Sequence, residues 1–257
     1  MKVIKPLQVS FFPTFHRIAG DWYQFHTGLI GWDLLTGDTR TEIDIWKAAG
    51  PLVSQQIPID EFFPKLASEF LVSGSFFSRR NTAVEAGHAE VRVGDTTKRL
   101  DIFGERNWKR HGGVYTTFTT PKPLHTLPLT WQYAFGGEDL LNNPVGMGYR
   151  EDEAGQIWPL PQVELHTDLI GSPDNVVTPG SFLPLPVTYP DRIKLAGTYK
   201  EDYLEKYFPG YPADFDARFF NRAPTDQWVE QDLVADCEFY LKNLHPNRPE
   251  LSGKIPD

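Results

Sequence analysis

Cysteine is nearly absent from this chain: Cys237 stands alone, which rules out an internal disulfide and a thiolate metal cluster. That usage fits a reducing compartment. Long apolar runs are missing too. None approaches the roughly 18 residues that span a bilayer, and Met1-Lys2-Val3-Ile4-Lys5-Pro6 lacks the apolar centre of a signal peptide. The expectation is a cytoplasmic protein with no membrane partner. Basic charge is in deficit, with 25 Lys and Arg against 34 Asp and Glu. The formal net charge of -9 opposes a phosphate backbone. Nucleic acid is not an expected partner, whereas a basic protein would suit the same charge.

The usual signatures of catalysis are also scarce. The seven histidines (His16, His26, His88, His111, His125, His166 and His245) are scattered singly, without the spacing of a metal-binding pair. No Gly-x-Ser-x-Gly motif occurs. Gly136-Gly137 and Gly146/Gly148 lack the Lys-Ser/Thr that completes a nucleotide loop, so they read as turn glycines, as Asn142-Asn143 before Pro144 reads as a tight turn. No cofactor and no metal are expected.

What the chain has is aromatic and strand-forming. Of its 257 residues 40% are hydrophobic and 14% aromatic, enough for a packed core, and 22 prolines and 21 glycines punctuate it throughout. The pattern predicts a mainly β protein of antiparallel, sandwich-like sheets with long ordered Pro/Gly-rich loops and one or two short helices. A single domain over 1–257 is expected. The clearest hairpin runs through His88-Ala89-Glu90-Val91-Arg92-Val93 and Lys98-Arg99-Leu100-Asp101-Ile102-Phe103, joined at Gly94-Asp95-Thr96-Thr97. A second is expected between residues 22–32 and 42–46. Residues 59–70 suggest a short helix broken at Pro64, followed by a buried strand over 70–77. Further strands are expected at 114–119, 129–135 and 236–244, and loop across 142–190. Residues 201–208 give the best helix, acidic at its start and stopped by Pro209-Gly210.

Asp214, Asp216, Asp226 and Glu230 lie close in sequence to Arg218 and Arg222. Two readings are open. Paired carboxylates in an aromatic-rich β protein suit glycoside hydrolysis or sugar binding through Asp214, Asp216 or Asp226. The favoured reading is an Asp/Arg network that satisfies loop backbone, because Asp214-Phe215-Asp216 and Arg218-Phe219-Phe220 mix charge with large apolar rings. Among the aromatics, Trp108, Trp158, Tyr149 and Tyr211 lie near polar turns and are the candidates for exposed contact.

Two motifs carry more specific information. Ala196-Gly197-Thr198-Tyr199 is followed by Asp214-Phe215-Asp216-Ala217-Arg218-Phe219-Phe220-Asn221-Arg222-Ala223-Pro224-Thr225-Asp226-Gln227. Upstream, Tyr133-Ala134-Phe135-Gly136-Gly137 precedes Asn142-Asn143-Pro144-Val145-Gly146-Met147-Gly148. With Phe103-Gly104-Glu105-Arg106-Asn107-Trp108 and Leu160-Pro161-Gln162-Val163-Glu164 in the same order, the chain resembles a bacterial uncharacterised-domain family associated with type VI secretion toxins. Glu105, Leu183 and Tyr203 depart from that family's usual aspartate, glycine and tryptophan. Its members tend to continue where this sequence ends at 251–257, so the resemblance leaves the possibility of C-terminal truncation and the pairing of that sheet edge open.

The resemblance implies an effector chaperone or adaptor, not an enzyme. Its expected partners are a cognate toxin and the VgrG or PAAR proteins of the secretion spike. The matching positions, Phe135, Gly136, Gly137, Asn143, Gly146, Asp214, Asp216, Arg218, Asn221, Asp226 and Gln227, are the candidate binding residues, expected to be partly structural.

Overall fold

The computed structural model describes residues 12–18, 21–27, 65–111, 114–134, 158–171, 177–229 and 237–254. Alternation of apolar and polar side chains fixes its principal hairpin. β5 (Ala86–Val93) and β6 (Thr96–Phe103) pair antiparallel through a two-residue turn at Gly94-Asp95, with Ala86 opposite Phe103 and Val93 opposite Thr96. Around them a five-stranded sheet assembles in the order β11 (Val163–Leu165), β6, β5, β13 (Glu238–Lys242), β14 (Glu250–Lys254). Every pairing in it is antiparallel.

Smaller antiparallel units accompany this sheet. β1 (Phe12–Ile18) pairs with β2 (Asp21–Thr27), β3 (Ser68–Glu69) with β12 (Trp228–Val229), and β4 (Ser75–Phe77) with β9 (Thr126–Pro128). β7 (Asn107–His111) lies between β10 (Trp158–Pro159) and β8 (Val114–Phe118). Among the described residues there are two α-helices, both single turns, α1 (Pro190–Ile193) and α2 (Tyr203–Lys206). The described residues thus form a mainly β, antiparallel fold, as the sequence predicts. Among them no helix is long and apolar enough to cross a membrane.

One face of the large sheet makes the core. Ala89, Val91 and Val93 of β5 join Leu100 and Ile102 of β6 and Val163 of β11 beneath Phe70, Phe76, Leu127, Leu129, Phe182 and Val229. The opposite face is polar. Across four strands Arg99 faces Glu90, Glu90 faces Lys242, and Lys242 faces Glu250. Opposite charges in facing positions favour this register over a one-residue slip, which would also turn the apolar set to water.

Several elements differ from expectation. Residues 65–70 carry β3 rather than helix, and of 70–77 only Ser75–Phe77 pairs as a strand, although Phe70 and Phe76 are buried. The strand expected at 129–135 is a single 3-10 turn, Trp131–Tyr133. Its indole Nε1 donates to Pro184 O at 2.9 Å, so the period-two pattern records an aromatic drawn inward by a turn. The stretch 142–190, read as loop, supplies β11 to the main sheet. β14 occupies the C-terminal sheet edge against β13. Residues 42–46 of the second expected hairpin lie outside the described residues, and residues 21–27 pair with β1.

Candidate functional site

The segment 221–227 closes around polar groups that are costly to bury unpaired. Asn221 Oδ1 accepts from Leu66 N at 3.1 Å and Ala67 N at 3.4 Å, while its Nδ2 donates to Ala67 O at 2.8 Å and Glu69 Oε2 at 3.1 Å. Glu69 also accepts from Arg222 N and Ala223 N and pairs with Lys65. Gln227 Nε2 donates to Phe70 O at 2.7 Å and Phe182 O at 3.1 Å. Its Oε1 accepts from Lys98 Nζ at 2.8 Å, and the same ammonium reaches Asp226 Oδ1 at 2.9 Å. Burial holds the Lys98 ammonium well below its usual range, at about 8, although Asp226 opposes the shift. The result is a clasp that ties β3, the 177–183 loop and β6 together.

Asp214 and Asp216 belong to a neighbouring pinch. Gly197 has φ 77°, and a Cβ there would come within 3.0 Å of Phe215 N. That close approach lets Asp214 accept from Thr198 N at 2.9 Å and from its hydroxyl at 2.7 Å, bonds that hold the carboxyl below its ordinary pKa. Asp216 accepts from Arg218 N at 2.9 Å, capping the 3-10 turn Ala217–Phe220, and pairs with the Arg218 guanidinium, which lowers its pKa. Each of the three aspartates is thus engaged by different partners. Among the described contacts none joins two of them.

Beneath the pinch lies a packed aromatic base. Tyr211 stacks on Phe215 at 4.1 Å between ring centroids and meets Phe220 edge-on at 5.4 Å, while Phe215 contacts Phe219 at 5.9 Å. Arg192, buried over the Phe219 ring, donates to Leu185 O at 2.7 Å and so fastens α1 to this base. A tyrosine ladder continues outward, with Tyr199 and Tyr203 at 4.7 Å and Tyr203 and Tyr207 at 6.5 Å. Burial, then the neighbouring phenols of Tyr199 and Tyr203, pushes Tyr211 up to about 12. On this base the chain exposes apolar side chains. Among the described residues nine large hydrophobics are exposed, and five of them, Val187, Ile193, Tyr199, Leu204 and Phe208, fall within residues 187–208.

The motif at 103–108 is architectural. Arg106 lies 3.8 Å above the Phe103 ring centroid and forms a buried ion pair with Glu164 of β11, whose Oε2 also accepts from Ile170 N at 2.8 Å. Burial pushes the Glu164 carboxyl up and the Arg106 guanidinium down. Glu105 makes an exposed pair with Lys122. No group of three or more His, Cys, Asp or Glu among the described residues is placed to hold a metal.

Residues 42–257 match the family described as an uncharacterized protein conserved in bacteria, DUF2169. The chain belongs to this family. No curated protein and no solved structure matches it. The family match spans every candidate residue. Of these, Asn221, Asp226 and Gln227 meet in the clasp, Asp214, Asp216 and Arg218 form the pinch, and Phe135, Gly136, Gly137, Asn143 and Gly146 lie outside the described residues.

The aromatics expected at the surface are placed differently. Trp108 is only 5% exposed and packs edge-on against Phe118, and Tyr211 is half-buried in the aromatic base. Tyr149 and the side chain of Trp158 lie outside the described residues. Leu204 and Phe208 were not among the sequence candidates. Their four-residue spacing beside Glu201 and Glu205 was the available signal.

Proposed function

We propose that this chain is an accessory protein that binds and stabilises one client protein, in the manner of type VI secretion effector chaperones and adaptors. The observation that carries this reading is the concentration of exposed apolar side chains on residues 187–208, mounted on a packed aromatic base. Exposed apolar side chains gathered on one segment suit partner binding, and a rigid base limits the ordering entropy lost on association. The motif resemblance supplies the biological setting: a cytoplasmic protein that holds a toxin and brings it to the VgrG or PAAR spike.

The net charge of -9 suits a basic client. Binding the folded client stabilises it by mass action, about 2.7 kcal/mol when the accessory protein is present at 100 times Kd. The carbohydrate reading draws less support, because Asp214, Asp216 and Asp226 are each occupied by local partners. Co-expression with the toxin encoded beside the gene, followed by size-exclusion chromatography, tests the proposal. The expected result is co-elution and a higher level of soluble toxin than without this chain. Separate elution and an unchanged toxin level would count against it.

A further inference from the structure

α2 is a single helical turn, and its backbone bonds carry on into the residues that follow it. Lys206 N donates to Asp202 O, and Tyr207 N and Phe208 N both donate to Tyr203 O. Leu204 and Glu205 lie within α2, Glu201 just before it and Phe208 just after it, so Leu204 and Phe208 stand four residues apart with a glutamate three positions ahead of each. All four are exposed, Leu204 at 71% and Phe208 at 62%. The turn itself is anchored: Tyr203 meets Tyr199 and Tyr207, and its hydroxyl donates to Gly210 O at 2.7 Å. The turn is thus fixed by its tyrosines and offers its leucine and phenylalanine to solvent.

The charges around that pair are unbalanced. Lys206 is held by Asp202 at 2.7 Å, and the positive charge of Lys200 acts on Asp202 and Asp214. Among the described residues Glu201 and Glu205 have no ion-pair partner, so two carboxylates flank the exposed Leu204 and Phe208.

We infer that this turn is the docking element itself, with Leu204 and Phe208 entering an apolar cleft on the client whose rim carries Lys or Arg facing Glu201 and Glu205. This inference rests on the client-binding reading and names the chemistry of its partner surface. Partner surfaces of this kind combine apolar anchors, which give affinity, with flanking charge, which gives register and association rate.

The test is titration calorimetry of the full chain against the toxin encoded beside its gene, at two salt concentrations. Three proteins are compared: wild type, Leu204→Ala/Phe208→Ala and Glu201→Lys/Glu205→Lys. Losing two buried anchors is expected to weaken binding roughly 100-fold. Charge reversal is expected to weaken it roughly 10-fold, and to abolish the loss of affinity with added salt that wild type shows. Far-ultraviolet circular dichroism matching wild type establishes that both variants fold. Wild-type affinity in both variants would overturn this inference and leave client binding standing. Absence of any wild-type complex would overturn both. A double alanine variant that changes the chain's own oligomeric state while binding the toxin normally would identify the occupant as a second copy and also overturn the inference.

Discussion

At the scale of single residues, the most consequential side chains are polar and buried. Asn221 uses both ends of its amide, accepting from Leu66 and Ala67 and donating to Ala67 O and Glu69. Asn221→Ala leaves several of these groups unpaired and is expected to cost about 2–4 kcal/mol in urea unfolding. Asn221→Asp keeps the acceptor but sets a second carboxylate beside Glu69, so it should be the more destabilising of the two at neutral pH. Lys98 gives a pH signature. Its ammonium titrates at about 8 in the fold against 10.5 ordinarily, so between those values the unfolded chain binds more protons. The penalty for burying the charge is complete below pH 8 and is relieved as pH rises. Stability should therefore climb above pH 8, by a total of about 3 kcal/mol from this group alone. Lys98→Met removes that rise. The comparison is best made between pH 8 and 10, because Tyr211, held near 12, works in the opposite direction above its ordinary pKa of 10.0. A wild type and Lys98→Met pair with parallel pH profiles would contradict the assignment.

Among elements, legibility follows how much of the information is local. The β5–β6 hairpin was readable because its core face, its charged face and its turn all lie within residues 86–103, and β13 because Phe239 and Leu241 alternate with Tyr240. β11 was not readable. Three residues between proline clusters join the sheet through pairing with β6 and the buried Arg106–Glu164 ion pair, whose partners stand 58 positions apart. Asn221 and Gln227 could be recognised as costly residues, but their partners at 65–70 lie about 150 positions away, so the clasp itself was invisible. The turn at Trp131–Tyr133 misled because alternation reports one-sided burial, which a 3-10 turn also produces. Two substitutions test the elements. A Cβ on Gly104 would lie 1.7 Å from Lys122 O, in backbone that is itself held by Lys122 N donating to Glu105 O. Gly104→Ala is expected to cost more than about 3 kcal/mol or to prevent folding, read from the denaturation midpoint or soluble yield. Glu90→Lys places a third cation between Arg99 and Lys242. Its expected cost of about 1 kcal/mol should shrink in 1 M salt, and a salt-independent loss would show that the facing charges do not set it.

Across the whole molecule, the residues that hold the fold and those that offer contact occupy separate parts of the same motif-rich region. Asn221, Gln227 and Glu69 face inward, whereas Leu204 and Phe208 stand out from a base fastened by Tyr203, Tyr211 and Arg192. Stability and client binding should therefore separate under mutation. Leu204→Ala/Phe208→Ala is expected to leave the unfolding free energy within about 0.5 kcal/mol per site, because both side chains are already in water in the free protein. Asn221→Ala should lower stability, and any loss of client binding should follow the fraction unfolded, recovering when the temperature is reduced. Measuring unfolding and client affinity on the same preparations distinguishes the two. If the double alanine variant unfolds as easily as Asn221→Ala, the exposed turn is part of the fold's support and the aromatic base cannot act as a rigid mount. If affinity falls while stability holds, the apolar pair is a contact surface. The clasp and pinch residues then act one step removed, by keeping the 187–215 segment in place.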